Sequence, residues 1–175
     1  PCEGSTAFDG TDDYIKTGSN VGITGASSKS GCAWIYPTAV DDHGVIFDWG
    51  EAAAGKANQF KLFEESANTC KLRLDANGTN ATGTTVFAVN TWYHVAFTYD
   101  GDKIRVYVNG VLEATSSSIT CNSTDSPLII GNGQPSNSQW FTGSIANIGI
   151  WSRALSLEEI NSVMRKNYSQ LKTIE

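Results

Sequence analysis

The residues best suited to ligand chemistry lie in a glycine-rich stretch from Gly131 to Gln139, which carries the amides Asn132, Gln134 and Asn137. A loop of this length exceeds the usual hairpin turn, and such loops often carry binding residues. Each amide offers one hydrogen-bond acceptor and two donors, which match the vicinal hydroxyls of a sugar. Trp140 follows the loop and could supply the apolar surface on which a sugar ring stacks, with a core position as the alternative. The stretch therefore predicts carbohydrate binding.

A second stretch with an amide predicts a weaker site of the same kind. Trp49 and Glu51 border a loop of small residues, and Asn58 follows that loop. Asn109 is a further candidate, but it forms an Asn-Gly pair with Gly110, and a type I′ turn requires such a pair whatever the protein does. These four residues are therefore further candidates for sugar binding. For Asn109 the alternative is a purely structural role in the turn.

Carboxylates and histidines do not occur in the patterns that hydrolases need. A retaining glycosidase requires two carboxyl groups about 5 Å apart in one cleft, which on a strand means acidic residues at alternating positions. The candidate strand from Phe60 to Glu65 ends in adjacent Glu64 and Glu65, whose side chains point to opposite faces. The sequence contains no GxSxG or HExxH motif, and we expect His94 to be a hydrogen-bonded core residue. We therefore expect a protein that is not an enzyme.

Charge and hydropathy exclude several classes of partner. The chain carries 12 Lys and Arg against 18 Asp and Glu, a formal net charge of −6, and it has no basic run. Nothing in such a chain would neutralise a nucleic-acid backbone. No apolar run approaches the roughly 20 residues that a membrane helix needs. We expect neither nucleic acid as a partner nor membrane insertion.

Cysteines and glycosylation motifs together predict a secreted protein. The absence of a CxxC pair favours two disulfides over a zinc site, with all pairings open, among Cys2, Cys32, Cys70 and Cys121. Motifs of the type Asn-X-Ser/Thr begin at Asn77, Asn80, Asn122 and Asn167. Such motifs belong on the surface of extracellular proteins, where disulfides also persist. We therefore expect an extracellular glycoprotein.

Strands with a period of two must position these residues. From Thr91 to Leu112, apolar and polar residues alternate in runs that are joined by Asp-Gly and Asn-Gly pairs, which are typical of tight hairpins. Short runs of this kind recur along the chain, whereas the mostly polar segment from Thr17 to Ser30 predicts a loop. Ser156 and Glu159 form a capping box that predicts a helix. The sequence therefore predicts one all-β domain over residues 1–175, a two-sheet antiparallel sandwich with a short C-terminal helix.

Several motifs, in order along the chain, resemble the laminin G-like and pentraxin branches of the concanavalin A-like jelly roll. They are Phe8-Asp9-Gly10, Asp12-Asp13-Tyr14, Ala33-Trp34-Ile35, Trp92-Tyr93-His94-Val95-Ala96, Tyr107-Val108-Asn109-Gly110, and Gly143 to Trp151 followed by Leu155, Ser156, Glu159 and Ile160. The last segment is the most specific match and is pentraxin-like. The resemblance spans nearly the whole chain and implies a jelly-roll fold, which hosts lectins, adhesion modules and glycosidases alike.

The pentraxin resemblance also implies a calcium site that this chain matches only with amides. The matching positions are Asn58, Asn109, Asn132 and Gln134. Because calcium prefers several oxygens, most of them charged, these residues favour direct sugar contact over a metal bridge. The carboxylates of Asp9, Asp12 and Asp13 are another candidate calcium site, as in jelly-roll domains that hold calcium near the N-terminus. Calcium is therefore a candidate cofactor, and its site stays open.

This chain also departs from the pentraxin pattern at the disulfide that pentraxins form. Pentraxins join the cysteine matched by Cys32 to a cysteine in the strand matched by Trp92 to Tyr99, where this chain has Ala96. The resemblance therefore implies that Cys32 pairs elsewhere, if it forms a disulfide.

These features together predict a secreted lectin that binds glycans or glycoproteins through amide-rich loops and an aromatic platform. A non-catalytic adhesion or scaffold module that binds protein partners is the alternative. A single sandwich with one site binds sugars weakly, so we expect a symmetric homo-oligomer that gains strength by multivalency.

Overall fold

The structure is a computed structural model that describes residues 4–40, 43–66, 69–76, 78–133 and 139–166. In these ranges the chain forms twelve strands and one helix. The strands are β1 (Thr6–Asp9), β2 (Ile15–Asn20), β3 (Lys29–Pro37), β4 (Val45–Asp48), β5 (Gln59–Ser66), β6 (Thr69–Asp75), β7 (Asn80–Thr82), β8 (Tyr93–Tyr99), β9 (Ile104–Val108), β10 (Val111–Thr115), β11 (Pro127–Ile130) and β12 (Thr142–Trp151). The helix is α1 (Leu157–Met164).

The strands form two antiparallel sheets of six strands each. Sheet A has the order β1-β12-β3-β8-β9-β10, and sheet B has the order β2-β11-β4-β5-β6-β7. The runs β4 to β7 and β8 to β10 stay within one sheet, and the chain otherwise crosses from one sheet to the other. This arrangement with its short C-terminal helix is a jelly-roll sandwich, so the predicted fold class is confirmed.

The hairpins predicted between Thr91 and Leu112 are present in sheet A. Val95 of β8 pairs with Val108 of β9. Asn109 and Gly110 join β9 to β10 with φ angles of 49° and 77°. Positive φ at both central positions is what a type I′ turn requires, and an Asn-Gly pair adopts it at low cost. The turn predicted from this dipeptide is therefore confirmed.

The core lies between the two sheets and contains a cluster of aromatic rings. Phe47 and Phe60 of sheet B and Phe97 of sheet A are all fully buried. The ring centroid of Phe60 lies 5.2 Å from that of Phe47 and 5.3 Å from that of Phe97. Rings at this spacing contribute packing energy beyond their buried area, so the cluster fixes the two sheets against each other.

The helix α1 covers the outer face of sheet A. The side chain of Ser156 accepts a hydrogen bond from the Glu159 amide at 3.2 Å, and the Glu159 carboxylate accepts one from the Ser156 amide at 2.8 Å. These reciprocal bonds confirm the predicted capping box. Ile160 is buried in a small cluster that includes Cys32 and Tyr107 of sheet A.

The cysteines contradict the predicted pair of disulfides. Cys32, Cys70 and Cys121 are buried thiols, and Cys2 lies outside the described residues. Cys32 lies in the cluster beneath α1, whereas Cys70 and Cys121 belong to the core between the sheets. Cys70 is the second residue of β6, at one end of the sandwich, and Cys121 lies at the other end, where β8 ends at Tyr99. A disulfide requires Cα atoms within about 7 Å, and spacing along the chain does not report that distance.

The segment predicted as a loop from Thr17 to Ser30 begins as strand, because β2 continues to Asn20. Among the described strands this edge strand pairs only with β11, and nearly all of its side chains are exposed. A strand with both faces in solvent has no reason to alternate apolar and polar residues, so its sequence resembles a loop. In the described part of the chain, no helix is long and apolar enough to cross a membrane.

Candidate functional site

Alternation in β5 and β6 places a row of polar side chains on the outer face of sheet B. Phe60 and Leu62 of β5 point into the core, as do Leu72 and Leu74 of β6. Their neighbours must therefore point outward, because successive side chains on a strand face opposite ways. We call these outward residues the polar face; they are Gln59, Lys61, Phe63, Lys71, Arg73 and Asp75.

Lys61 occupies the centre of the polar face and is only 4% exposed. Its Nζ donates a hydrogen bond to Gln59 Oε1 at 2.5 Å and lies 3.7 Å from Asp75 Oδ2. Burial lowers the pKa of Lys61, and the carboxylates of Asp75 and Asp48 act in the opposite direction. The ammonium group is thus held in one position, unlike a lysine on an open surface.

Arg73 and Phe63 form a stacked pair beside Lys61. The Cζ atom of Arg73 lies 3.2 Å from the centroid of the Phe63 ring, a cation–π arrangement. The Nε of Arg73 donates to Thr82 Oγ1 at 2.8 Å, and the Thr82 hydroxyl donates to Asn80 Oδ1 at 3.2 Å. The ring and the hydrogen bond together orient the guanidinium group.

Gly133, in the described part of the glycine-rich loop after β11, lies against the polar face. A Cβ atom at Gly133 would lie 2.7 Å from Gln59 Nε2, so the loop backbone approaches that side chain closely. Asn132 is 5% exposed, and its Oδ1 accepts a hydrogen bond from the Gly133 amide at 2.8 Å. Gln134 and Asn137 lie outside the described residues. The structure thus brings Asn132 next to the polar face.

Trp140 forms an aromatic pair with Tyr14 at the end of the sandwich where β2 begins. The ring centroids are 6.2 Å apart and the ring planes are inclined by 51°. Tyr14 is 55% exposed, and Trp140 is half-buried. Trp140 is therefore not among the buried core residues, and solvent reaches both rings of the pair. Sequence analysis did not identify Tyr14 as a site residue.

Asn58, Trp49 and Glu51 lie at the opposite end of the sandwich, where β4 finishes and β5 begins. Asn58 is fully buried and donates through Nδ2 to Ser123 Oγ at 2.6 Å and to the Trp49 carbonyl at 3.4 Å. Trp49 is also fully buried. Glu51 is exposed and pairs with Lys56 at 3.1 Å. The first two residues therefore contact protein rather than solvent.

Asn109 lies on sheet A, away from both of these groups. Its Oδ1 accepts a hydrogen bond from the His94 amide at 2.9 Å, which ties the β9–β10 turn to β8. The structure thus places Asn58, Asn109 and Asn132 at three separate locations. The calcium ligand set implied by the pentraxin resemblance is not assembled by these three amides, and the residues do not fit such a site.

The carboxylates of Asp9, Asp12 and Asp13 converge in the turn between β1 and β2. One oxygen from each lies within 4.8 Å of the others, and all three residues are exposed. Asp9 Oδ1 accepts a hydrogen bond from the Thr11 amide at 2.8 Å, and Asp13 Oδ2 accepts one from the Asp9 amide at 3.1 Å. These bonds stabilise the turn, and the same oxygens are donors that calcium accepts.

Two of the four glycosylation motifs lie in described parts of the chain, and both of their asparagines are exposed. Asn80 begins β7, and Asn122 lies in the crossing between β10 and β11. Asn77 and Asn167 lie outside the described residues. Exposure of Asn80 and Asn122 is compatible with glycosylation.

The polar face is the part of the site that sequence analysis missed. A signal was available, because polar side chains occupy every second position of β6 as Lys71, Arg73 and Asp75. The same pattern describes any strand with one solvated face, so the sequence does not separate a binding surface from ordinary exposure. Burial distinguishes the polar face from an ordinary solvated face, because the outward residues of β6 are half-buried and Lys61 is almost completely buried.

Comparison with known proteins places these features in a family. Residues 9–161 match a laminin G model described as the concanavalin A-like lectin/glucanases superfamily. No curated protein matches the sequence. A heptameric SAP-like pentraxin from Limulus polyphemus has a TM-score of 0.72 at 19% identity, covering 91% of this chain and 80% of its own.

Two further solved structures have the same fold. Domain 4 of an extracellular arabinanase from Geobacillus stearothermophilus, in complex with arabinotriose, has a TM-score of 0.71 at 16% identity, covering 91% of this chain and 75% of its own. Domains LG4-5 of the mouse laminin α1 chain have a TM-score of 0.59 at 15% identity, covering 87% of this chain and 44% of their own. At these identities the likeness shows the fold alone, and it confirms the laminin G-like and pentraxin-like resemblance.

Proposed function

This chain belongs to the concanavalin A-like lectin/glucanases superfamily, and from that premise we propose that it is a carbohydrate-binding domain. The glycan would lie on the polar face and contact the loop that follows β11. The fold hosts binding modules and enzymes alike, so the choice between them rests on the side chains of the site.

The observation that carries the proposal is a set of fixed polar side chains on sheet B, together with an exposed aromatic pair whose Tyr14 immediately precedes β2 of the same sheet. Gln59 and Lys61 are buried and hydrogen-bonded to each other. Groups whose rotamers are already fixed lose little entropy when they bind sugar hydroxyls. Tyr14 and Trp140 add aromatic surface that solvent reaches, and such surface suits the apolar side of a sugar ring.

We assign the sugar contacts to residues of this region. Asn132 retains the donors of its Nδ2 group, because its Oδ1 is the atom that accepts from Gly133. Gln134 and Asn137 of the same loop are proposed hydrogen-bonding residues, and Trp140 is the proposed platform. The site offers hydrogen bonds and stacking, so the proposed role is binding without catalysis.

The test is a glycan array followed by titration of the best ligand with Trp140→Ala. Loss of the stacking ring should weaken binding by about tenfold, because covering roughly 60 Å² of apolar surface contributes about 1.5 kcal/mol. Trp92→Ala is a matched control, since Trp92 is also half-buried and pairs with Tyr36 at 5.4 Å on sheet A.

The control should bind like the unchanged protein, and circular dichroism should show both variants folded. Equal losses in Trp140→Ala and Trp92→Ala would contradict the site. An array without binding above background, both with calcium and with a chelator, would overturn the proposed function itself.

An adhesion module that binds a protein partner is the second candidate, and apolar residues on the surface favour it. Val111 and Leu112 of β10 are 64% and 47% exposed, and Leu157 of α1 is 49% exposed. Side chains of this type are common at protein interfaces. Recovery of a partner from deglycosylated extract, lost in Val111→Asp but retained in Trp140→Ala, would support this candidate over the first.

We also propose that the protein is secreted and forms a homo-oligomer, with calcium as a candidate ligand of the turn formed by Asp9, Asp12 and Asp13. Oligomerisation would compensate for a weak single site through multivalency. Light scattering that gives the mass of a monomer at working concentration would contradict the oligomer. An unfolding temperature that calcium does not change would contradict the metal site.

A further inference from the structure

The cations of the polar face differ in their pairing. Lys61 lies 3.7 Å from Asp75, and Lys71 forms a salt bridge with Glu65. Arg73 lies on the strand between Lys71 and Asp75 and has no salt bridge to any described residue. Of the three, Arg73 is therefore the cation without a carboxylate oxygen within 4.0 Å in the described part of the chain, although Asp75 and Glu65 still act on it at longer range.

The guanidinium group of Arg73 is nevertheless held in place. Its Cζ atom lies 3.2 Å from the centroid of the Phe63 ring, and its Nε donates a hydrogen bond to Thr82 Oγ1 at 2.8 Å. No described residue accepts a hydrogen bond from Nη1 or Nη2. The contact with Phe63 and the hydrogen bond from Nε hold the guanidinium group in one orientation. Nη1 and Nη2 can therefore both donate hydrogen bonds to the same ligand.

The geometry of such a group selects its ligand. A guanidinium binds a planar carboxylate through two parallel hydrogen bonds, whereas a lysine offers only a point charge. Burial lowers the pKa of Arg73, and the nearby carboxylates of Asp75 and Glu65 act in the opposite direction. An arginine stays protonated under all physiological conditions, so its partial desolvation strengthens attraction to an anion instead of removing the charge.

The net charge of −6 disfavours anions at long range, but it does not oppose binding at this position. Exposed charges further apart than about 8 Å are largely screened at physiological ionic strength. The nearest carboxylates, Asp75 and Glu65, are each already within ion-pair distance of a lysine. With Asp48, which also acts on Lys61, three carboxylates face three cations here. The region is therefore balanced in charge, and Arg73 offers a ligand a guanidinium group that forms no ion pair in the described part of the chain.

We propose that Arg73 recognises the carboxylate of an acidic sugar, so that the glycan on the polar face carries a uronic or sialic acid residue. This inference rests on the proposed function and specifies its ligand class. Lys61 and Gln59 would contact neighbouring hydroxyls of the same glycan, and Phe63 and Thr82 are positioning residues that act through Arg73.

The experiment compares acidic glycans with their neutral counterparts by isothermal titration calorimetry. The probes are a glucuronate-ended oligosaccharide and its carboxyl-reduced form, and 3′-sialyllactose and lactose. The variants are Arg73→Gln, Arg73→Lys and Thr82→Val, with Arg165→Gln as a control that removes one exposed positive charge next to α1. Circular dichroism establishes that each variant is folded.

We expect at least one acidic probe to bind about tenfold or more tightly than its neutral counterpart, as a charge-assisted hydrogen-bond pair would give. Arg73→Gln should abolish this ratio by lowering the affinity for the acidic probe to that for its neutral counterpart. Arg73→Lys and Thr82→Val should retain part of it, and Arg165→Gln should leave it unchanged. The Thr82 variant provides the test if both Arg73 variants fail to fold.

Other outcomes overturn the inference in distinguishable ways. Equal affinity for acidic and neutral probes would refute acid recognition while leaving carbohydrate binding intact. A preference that survives in Arg73→Gln, or a preference for sulfated over carboxylated glycans, would refute the role of Arg73 as a carboxylate reader. Failure of every glycan to bind would overturn the proposed function, and the inference with it.

Discussion

His94 is a buried histidine whose imidazole ring forms no hydrogen bond with any described residue. It is 1% exposed, and neither ring nitrogen has a partner in the described part of the structure. Its ring meets that of Trp34 edge-on with centroids 5.5 Å apart. The sequence correctly indicates a core position for His94, but the expected hydrogen bond is not present among the described residues. Burial lowers the pKa of His94 from 6.5 to about 4.

The pKa of His94 predicts an acid-sensitive fold. Between pH 6.5 and 4 the unfolded chain binds a proton at this residue more readily than the folded chain. The free energy of unfolding should therefore be highest above pH 6.5 and fall as the pH decreases toward 4. A shift of this size corresponds to roughly 3 kcal/mol at most. Urea unfolding at several pH values measures the decrease.

His94→Leu is the control for this pH dependence. Without the imidazole, the curve of stability against pH should be flatter between pH 6.5 and 4. The pKa of Asp100 and that of Glu159 are lowered to about 2, mainly by hydrogen bonds from Arg105 and Arg153. The stabilising effect of these two carboxyls is lost from about pH 4.5 for Glu159 and about pH 3.8 for Asp100 down to about pH 2, which is mostly below the range assigned to His94. An unchanged slope in the His94 variant would contradict the assignment.

At the level of the elements, Gly143 controls how β12 joins β3. Its φ is 137°, and a Cβ atom there would lie 2.2 Å from the Tyr36 carbonyl oxygen. That oxygen belongs to the backbone of β3 and cannot rotate away. Gly143 therefore allows the two strands to approach at the point where their ladder begins.

Gly143→Ala should destabilise the protein by about 2 kcal/mol or more, because the substitution adds both strain at positive φ and a backbone clash. Gly18→Ala in β2 is the matched control, since a Cβ there meets nothing within 4 Å. The control should change stability by no more than roughly 0.5 kcal/mol. Guanidinium unfolding of both variants measures the difference, and equal effects would contradict it.

The elements differ in how well the sequence predicts them. The β8–β9–β10 hairpins follow from local alternation and from Asn-Gly, and the capping box of α1 from Ser156 and Glu159, so all of these could be predicted. The part of β2 from Thr17 to Asn20 could not be predicted, because an edge strand exposed on both faces has no alternation. The polar face could not either, because its distinguishing property is burial, which depends on the loop after β11 and on the neighbouring strand.

At the scale of the whole molecule, the thiols give a direct test of the corrected cysteine chemistry. Cys32, Cys70 and Cys121 are all buried thiols. Burial raises the pKa of Cys32 to about 12 and that of Cys121 to about 11. Thiols that are both buried and protonated react slowly with alkylating reagents.

We therefore expect almost no labelling of these cysteines by iodoacetamide in the native protein and labelling of all three in denaturant without reductant. Mass spectrometry after digestion identifies each site. We also expect that dithiothreitol does not change the midpoint of unfolding. Labelling in denaturant that requires prior reduction would show that a disulfide is present.

The assembly of the site also belongs to this scale. Asn132 and Trp140 come from one stretch of sequence, and their neighbourhood could be predicted. Tyr14, Gln59 and Arg73 come from three other stretches, and the strands that follow or contain them belong to one sheet, sheet B, only through the sheet order. The amides Asn58, Asn109 and Asn132 share a residue type and a place in the resemblance, but Asn109 belongs to sheet A, whereas Asn58 precedes β5 and Asn132 follows β11 in sheet B.

The helix and the polar face lie on opposite sides of the sandwich, because α1 covers sheet A and the polar face belongs to sheet B. Two sheets packed about 10 Å apart separate them. A fluorophore or a solid support coupled to the exposed side of α1 would therefore stay clear of a ligand on sheet B. Immobilised through the helix, every copy would hold its polar face outward, as an oriented capture reagent requires.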